Sequence, residues 1–114
     1  MKVWVITVNY GVTAPTEKLI QSIENLKSYE NIRIFIADNN STDESQKNIK
    51  KIIKDSKLNI EAKFFEKNYF YWPAAKKIFD KYINEFNEPP DWTIVCNNDI
   101  IFNDNNFFDN LSTI

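Results

Sequence analysis

Four short apolar runs punctuate the chain, and the stretches between them carry helical spacing. Val3–Val8 and Ile32–Ala37 are β-branched and nearly continuous, Ile60–Phe65 is a weaker run, and Trp92–Cys96 is a strong one. A strand with one wet face alternates polar and apolar residues, whereas near-continuous runs suit strands covered on both faces of a parallel sheet. Between the runs, Leu19, Ile20, Ile23 and Leu26 fall on one helical face, with Thr13 or Thr16 placed to cap its start. Ile49, Ile52 and Ile53 line a second helix opposite Lys47, Lys50, Lys51 and Lys54, a stripe that reads as a solvated face. Ser41 and Glu44 stand before it at the spacing of a capping box. Ala74, Ala75, Ile78, Phe79, Tyr82, Ile83 and Phe86 line a third helix, with Pro73 in its first turn and Pro89-Pro90 beyond its end. The order β-α-β-α-β-α-β predicts an α/β fold: an open, mainly parallel sheet flanked by helices, in one domain of 114 residues.

Composition closes off several functions. With 43% hydrophobic and 15% aromatic residues the chain can bury a core, so disorder is excluded as its main state. A net charge of −2 lacks the basic excess of a nucleic-acid binder. Cys96 is the single cysteine and there is no histidine, which removes disulfide frameworks, Cys/His zinc sites and any imidazole base. Gly11 is the single glycine, so neither G-x-G-x-x-G nor a P-loop exists. Asparagine, at 16 residues, is placed to take the left-handed turns that glycine would otherwise serve. The run after Met1 is too short and too punctuated for a signal peptide or a membrane span, which predicts a cytoplasmic protein. No basic residue follows Lys81, while Glu85, Glu88, Asp91, Asp99, Asp104 and Asp109 remain. Such an acidic end is either a solvated face or the surround of a cation.

In open α/β sheets ligands bind beyond the carboxyl ends of the strands. After the four runs come Asn9-Tyr10-Gly11, Asp38-Asn39-Asn40-Ser41-Thr42-Asp43, Glu66-Lys67-Asn68-Tyr69 and Asn97-Asn98-Asp99. Asp38 can accept from a ligand N–H or a ribose hydroxyl, or be satisfied by the amides of the next turn. Asp43, in a first helical turn, is a favourable charge for the helix dipole. Asp99 follows an apolar strand on a polar loop, a setting in which a hard divalent cation can hold a diphosphate with only one or two carboxylates.

Thr7-Val8-Asn9-Tyr10, Asp38-Asn39-Asn40-Ser41-Thr42-Asp43 and Val95-Cys96-Asn97-Asn98-Asp99, in this order and spacing, resemble the family 2 glycosyltransferases. The Asn-Asn-Asp form is similar to rhamnosyl- and galactosyltransferase-type members that build bacterial surface polysaccharides. The resemblance implies a GT-A fold, with residues 1–114 as its nucleotide-diphosphosugar-binding half and the acceptor-binding, base-carrying half absent. It implies an inverting transfer of sugar from a UDP- or dTDP-sugar to a glycan hydroxyl, with the parent enzyme either free in the cytoplasm or at the inner membrane surface. By the same resemblance Val8 and Asn9 border the base pocket, Asp38 reaches the base, and Asn40 and Asn98 lie near the nucleotide. Asp99 matches the last Asp of the family's D-x-D-type motif, the residue that holds Mg2+ or Mn2+, while Asn97 replaces the preceding carboxylate.

The chain departs from the family at Asn68-Tyr69-Phe70-Tyr71-Trp72, where members usually carry Asn-x-Gly followed by small residues. The aromatic run reads either as packing at the sheet's edge or as a reshaped donor or acceptor pocket. Without the second half the fragment is expected to bind nucleotide weakly and catalyse little. An exposed edge near Trp92, Ile94 and Val95 predicts a homodimer. The alternative is a non-catalytic nucleotide- or sugar-binding module on a decayed GT-A fold. A Mg2+-dependent phosphohydrolase would need a nucleophilic Asp after the first strand, where Asn9-Tyr10 stands.

Overall fold

The computed structural model describes residues 1–27 and 30–114. Its strands are β1 (Val3–Asn9), β2 (Ile32–Asn39), β3 (Asn59–Phe65) and β4 (Trp92–Asn97). Its helices are α1 (Ala14–Glu24), α2 (Asp43–Asp55), α3 (Tyr71–Phe86) and a short α4 (Phe107–Leu111). All three strand pairings are parallel and the order is β3-β2-β1-β4. The expected α/β architecture is therefore present. The order is also that of the first half of a dinucleotide-binding fold, even though the glycine-rich turn of such folds is missing.

The two-residue period of each strand sends alternate side chains to opposite layers. Val3 and Val5 of β1, with Ile32, Ile34 and Ile36 of β2, meet Leu19, Ile20 and Ile23 of α1 and Ile49 and Ile52 of α2. Trp4, Ile6, Phe35 and Ala37 face the other way, onto Ala74, Ala75, Ile78 and Tyr82 of α3. In that second layer Phe35 stacks on Tyr82 with centroids 4.5 Å apart, and Trp4 meets Phe35 edge-on at 4.9 Å. Both geometries suit the ring quadrupoles. Phe108 of α4 seals the first layer.

Helix starts differ from expectation in one instructive way. The Ser41–Glu44 capping box does not form. Thr42 caps α2 instead, its Oγ1 accepting the Ser45 N–H at 3.2 Å. The Ser41 hydroxyl is turned away from the helix: it donates to Asp38 Oδ1 at 2.6 Å, and its oxygen accepts the Gly11 N–H at 3.0 Å in place of an amide of α2. Neither threonine caps α1 with its side chain: Thr13 is at the N-cap without such a bond, and the Thr16 hydroxyl turns inward to Asn9. Pro73 does fall in the first turn of α3. Asn40 and Asn87 take left-handed backbone, φ 55° and 52°, as the abundance of asparagine led us to expect.

One polar atom is out of place. Thr7 Oγ1, in the middle of β1, is buried with no hydrogen-bond partner among the described residues. An unmatched buried hydroxyl costs roughly 1–3 kcal/mol relative to a matched one. The isosteric Thr7→Val is expected to raise unfolding stability by about 1 kcal/mol in urea titration; a loss of stability would mean that this hydroxyl has a partner.

Candidate functional site

Strand order changes sides at β1: β2 and β3 lie on one flank and β4 on the other. At such a switch point the connections leave in opposite directions and open a crevice at the carboxyl ends of the strands. A cleft of ≈ 350 Å³ lies there. Strand ends contribute Val8, Asn39 and Asn97, with Val8 and Asn97 paired across β1 and β4. Loops contribute Tyr10, Asn68, Phe70, Asn98 and Asp99, and the start of α3 contributes Tyr71. The lining is amide and aromatic with a single carboxyl group, and it contains no basic side chain.

Beneath the cleft, one buried network ties three loops together. Asn9 is fully buried, and its Nδ2 donates to Asp38 Oδ1 at 3.1 Å and more distantly to Gly11 O and Ser41 Oγ. Its Oδ1 accepts the Thr16 hydroxyl at 2.7 Å and Asn98 Nδ2 at 3.4 Å. Asn98 Nδ2 also donates to Thr16 Oγ1 at 3.1 Å. Asp38, likewise fully buried, accepts from the Ser41 hydroxyl and from the Ser41 N–H at 3.3 Å. Ser41 Oγ in turn accepts the Gly11 N–H at 3.0 Å. Gly11 turns with φ 80°, and a Cβ there would meet no atom within 4 Å, so its backbone angle, not crowding, calls for glycine.

A second clamp holds the loop before α3. Asn39, 2% exposed, donates from Nδ2 to Phe70 O at 2.7 Å and accepts the Tyr69 N–H at 3.1 Å. Asn68 Oδ1 accepts the Phe70 N–H at 2.8 Å. Phe70 is forced to φ 65°, ψ −165°. That region is essentially glycine's, and a side chain there costs about 1–3 kcal/mol.

The sequence-predicted residues therefore divide. Val8, Asn98 and Asp99 line the cleft. Asn9 and Asp38 lie under it as the framework, and Asn40 is exposed outside its lining. Asp99 is exposed, and no hydrogen bond or ion pair among the described residues engages its side chain. Sequence reasoning did not single out Asn39, Ser41 or Thr16 as organisers. The available signal was small: a threonine in a helix's first turn that is not its cap, and asparagines where strands end.

Among the described residues no group of three or more Asp, Glu, Cys or His side chains could hold a metal ion. The residues present would fit a hard cation only if it came with a diphosphate, since Asp99 could supply one oxygen ligand and phosphates the others. They do not fit a metal held by the protein alone. Cys96 offers no thiolate ligand, since burial pushes its thiol up to about 11. Burial, and then the neighbouring Cys96, raise the Tyr71 phenol as well, leaving both groups neutral at ordinary pH. No helix among the described residues is long and apolar enough to cross a membrane.

A parallel sheet between two helical layers, with its cleft at the switch point, defines the ligand-binding class of open α/β domains. More narrowly, the chain belongs to glycosyl transferase family 2, whose model matches residues 4–111. The fold is the Rossmann-like GT-A fold. It is similar to S. aureus TarS 1-349, with a TM-score of 0.79 at 16% identity, covering 99% of this chain and 32% of that one. A second crystal structure of S. aureus TarS gives a TM-score of 0.66 at 17% identity, covering 98% of this chain and 19% of the other. The chain thus spans about a third or less of the solved structures it resembles. No curated protein matches the sequence.

Asn9 contributes to all three loops at once, and Asn9→Ala leaves buried donors and acceptors unmatched. A loss of about 2 kcal/mol in urea unfolding is expected; a change under about 0.5 kcal/mol, the range of an ordinary surface substitution, would show the network to be dispensable.

Proposed function

We propose that the chain is the nucleotide-diphosphosugar-binding half of an inverting glycosyltransferase, with a UDP- or dTDP-sugar as donor. The parent reaction transfers the sugar to a glycan hydroxyl in surface polysaccharide synthesis, in the manner of rhamnosyl- and galactosyltransferase-type members. The observation that carries this reading is the unengaged carboxylate of Asp99 in a switch-point cleft without a basic side chain. A diphosphate beside a carboxylate with no basic side chain is repelled unless a cation sits between them, and Asp99 is the residue that would hold Mg2+ or Mn2+. When bound with the donor, that cation supplies neutralisation of the charge that builds on the departing diphosphate.

The chain's own residues do the rest. Val8 borders the base, and Asn98, held by Asn9 and Thr16, keeps the Asp99 loop in register with β1. Asp38 Oδ2 accepts one long hydrogen bond, so it retains acceptor capacity for the imide N–H of uracil or thymine. Asn40, exposed beside Ser41, lies on the nucleoside side. The acceptor and the carboxylate base that deprotonates its hydroxyl belong to a part of the parent enzyme outside these residues.

The alternative, a non-catalytic nucleotide- or sugar-binding module, is favoured by one observation: the Asp38 carboxyl is already occupied by Ser41 and Asn9. Calorimetric titration of UDP, dTDP, GDP and ADP with and without Mn2+ separates the two. The donor-site reading expects Mn2+ to strengthen UDP or dTDP binding by about tenfold or more, and Asp99→Ala to erase that gain with the fold intact. Binding that ignores both the metal and Asp99→Ala would support the alternative, and no binding of any of the four would contradict the donor-site reading and the nucleotide-binding form of the alternative.

We also propose self-association through β4. It is an edge strand, and beside it Trp72, Phe79, Thr93 and Val95 border an apolar groove of ≈ 380 Å³. Gel filtration with light scattering is expected to show a dimer that grows with concentration; a monomer throughout would overturn the idea.

A further inference from the structure

The aromatic run before α3 is divided by what each ring touches. Tyr69 packs edge-on against Phe65 with centroids 5.2 Å apart, and Tyr71 meets Trp72 at 5.0 Å. Phe70 has no ring partner among the described residues and is 72% exposed. Packing at the sheet's edge therefore accounts for Tyr69 and not for Phe70. Yet Phe70 is the one residue of the run with glycine-like backbone, φ 65°. Three hydrogen bonds, two through the buried side chain of Asn39 and one through Asn68, hold it there. A conformation this unfavourable for a phenylalanine is maintained around a ring that contributes little to the core. The cleft that this ring borders is the one that contains Asp99.

We propose that Phe70 is a specificity-determining residue, the wall against which the apolar C–H face of the donor's sugar packs. This rests on the donor-site reading above. A pyranose presents hydroxyls around its rim and C–H groups on a face. The cleft offers matching chemistry: the carboxamides of Asn68 and Asn97 for the rim, and an aromatic ring for the face. The cleft's other exposed ring, Tyr10, at 66% and next to Asn9 at the end of β1, is left for the nucleobase under that reading. Asn39 acts through Phe70 and is a positioning residue. Glycine at this position would remove both the strain and the wall, so the substituted ring narrows the donors the cleft accepts to those with an apolar sugar face.

The test compares each nucleoside diphosphate with its sugar conjugates in the presence of Mn2+. UDP is titrated against UDP-glucose, UDP-galactose and UDP-N-acetylglucosamine, and dTDP against dTDP-rhamnose, on wild type, Phe70→Gly and Phe70→Tyr. In wild type at least one conjugate is expected to bind more tightly than its parent diphosphate. Phe70→Gly should leave the diphosphate affinity unchanged and reduce the sugar's added affinity about three- to tenfold. It should also raise Tm, because glycine takes this backbone without steric conflict. Phe70→Tyr should keep the sugar's contribution. Equal contributions in wild type and Phe70→Gly would overturn the proposal and leave the donor site standing. A loss that falls on UDP or dTDP alone would make Phe70 a base platform instead, and a lowered Tm would make its ring structural. If wild type binds no diphosphate with Mn2+, the donor-site reading fails and this inference with it.

Discussion

A buried asparagine at the end of the first strand holds the working edge of this protein together. Asn9 bonds to Thr16 of α1, to Asp38 at the end of β2 and to Asn98 after β4. Those segments are far apart in sequence and meet only because β1 is flanked by β2 on one side and β4 on the other. A carboxamide suits the task, since one side chain both donates and accepts and so can link a carboxylate to a hydroxyl. Such a group in the interior is costly unless fully matched, which ties the integrity of the network to that of the fold. The cleft above it inherits a fixed frame, while Asp99, exposed in its lining, stays outside the network.

Much of the fold was legible because burial on both faces of a parallel sheet leaves a strong imprint. Val3–Val8 and Ile32–Ala37 read as strands, and the structure extends each by one or two polar residues, to Asn9 and Asn39. Those added residues are the ones that build the site, and hydropathy alone could not assign them. The capping box at Ser41 was misread for a physical reason: local spacing cannot reveal a carboxyl group, Asp38, that turns back to take the hydroxyl. The two possible roles of the aromatic run could not be separated in the sequence either. Tyr69 and Phe70 are adjacent and chemically alike, and the backbone sends one into the sheet's edge and the other into the open.

The site also shows how a chain with one glycine manages turns that need unusual backbone. Asn40 and Asn87 take the left-handed region at modest cost, as asparagine can. Gly11 is spent at the turn where the Ser41 hydroxyl closes on the backbone. Phe70 is left with a conformation that suits neither asparagine's compromise nor a side chain at all, and Asn39 holds it in place. The electrostatics are equally economical. A cleft walled by amides, with one carboxyl group and no lysine or arginine, is neutral to weakly negative, so the proposed donor-site reading calls for a cation to accompany the diphosphate.

That joint dependence is the centre of the account, and paramagnetic broadening by Mn2+ tests it most directly. Amide signals of 15N-labelled protein would be followed during addition of Mn2+, first alone and then with UDP or dTDP present. The account predicts little broadening from Mn2+ alone and strong, localised broadening of Asn97, Asn98, Asp99 and Ile100 once the nucleoside diphosphate is added. Equal broadening with and without the nucleotide, or broadening centred on the acidic surface at Asp104 and Asp109, would contradict it.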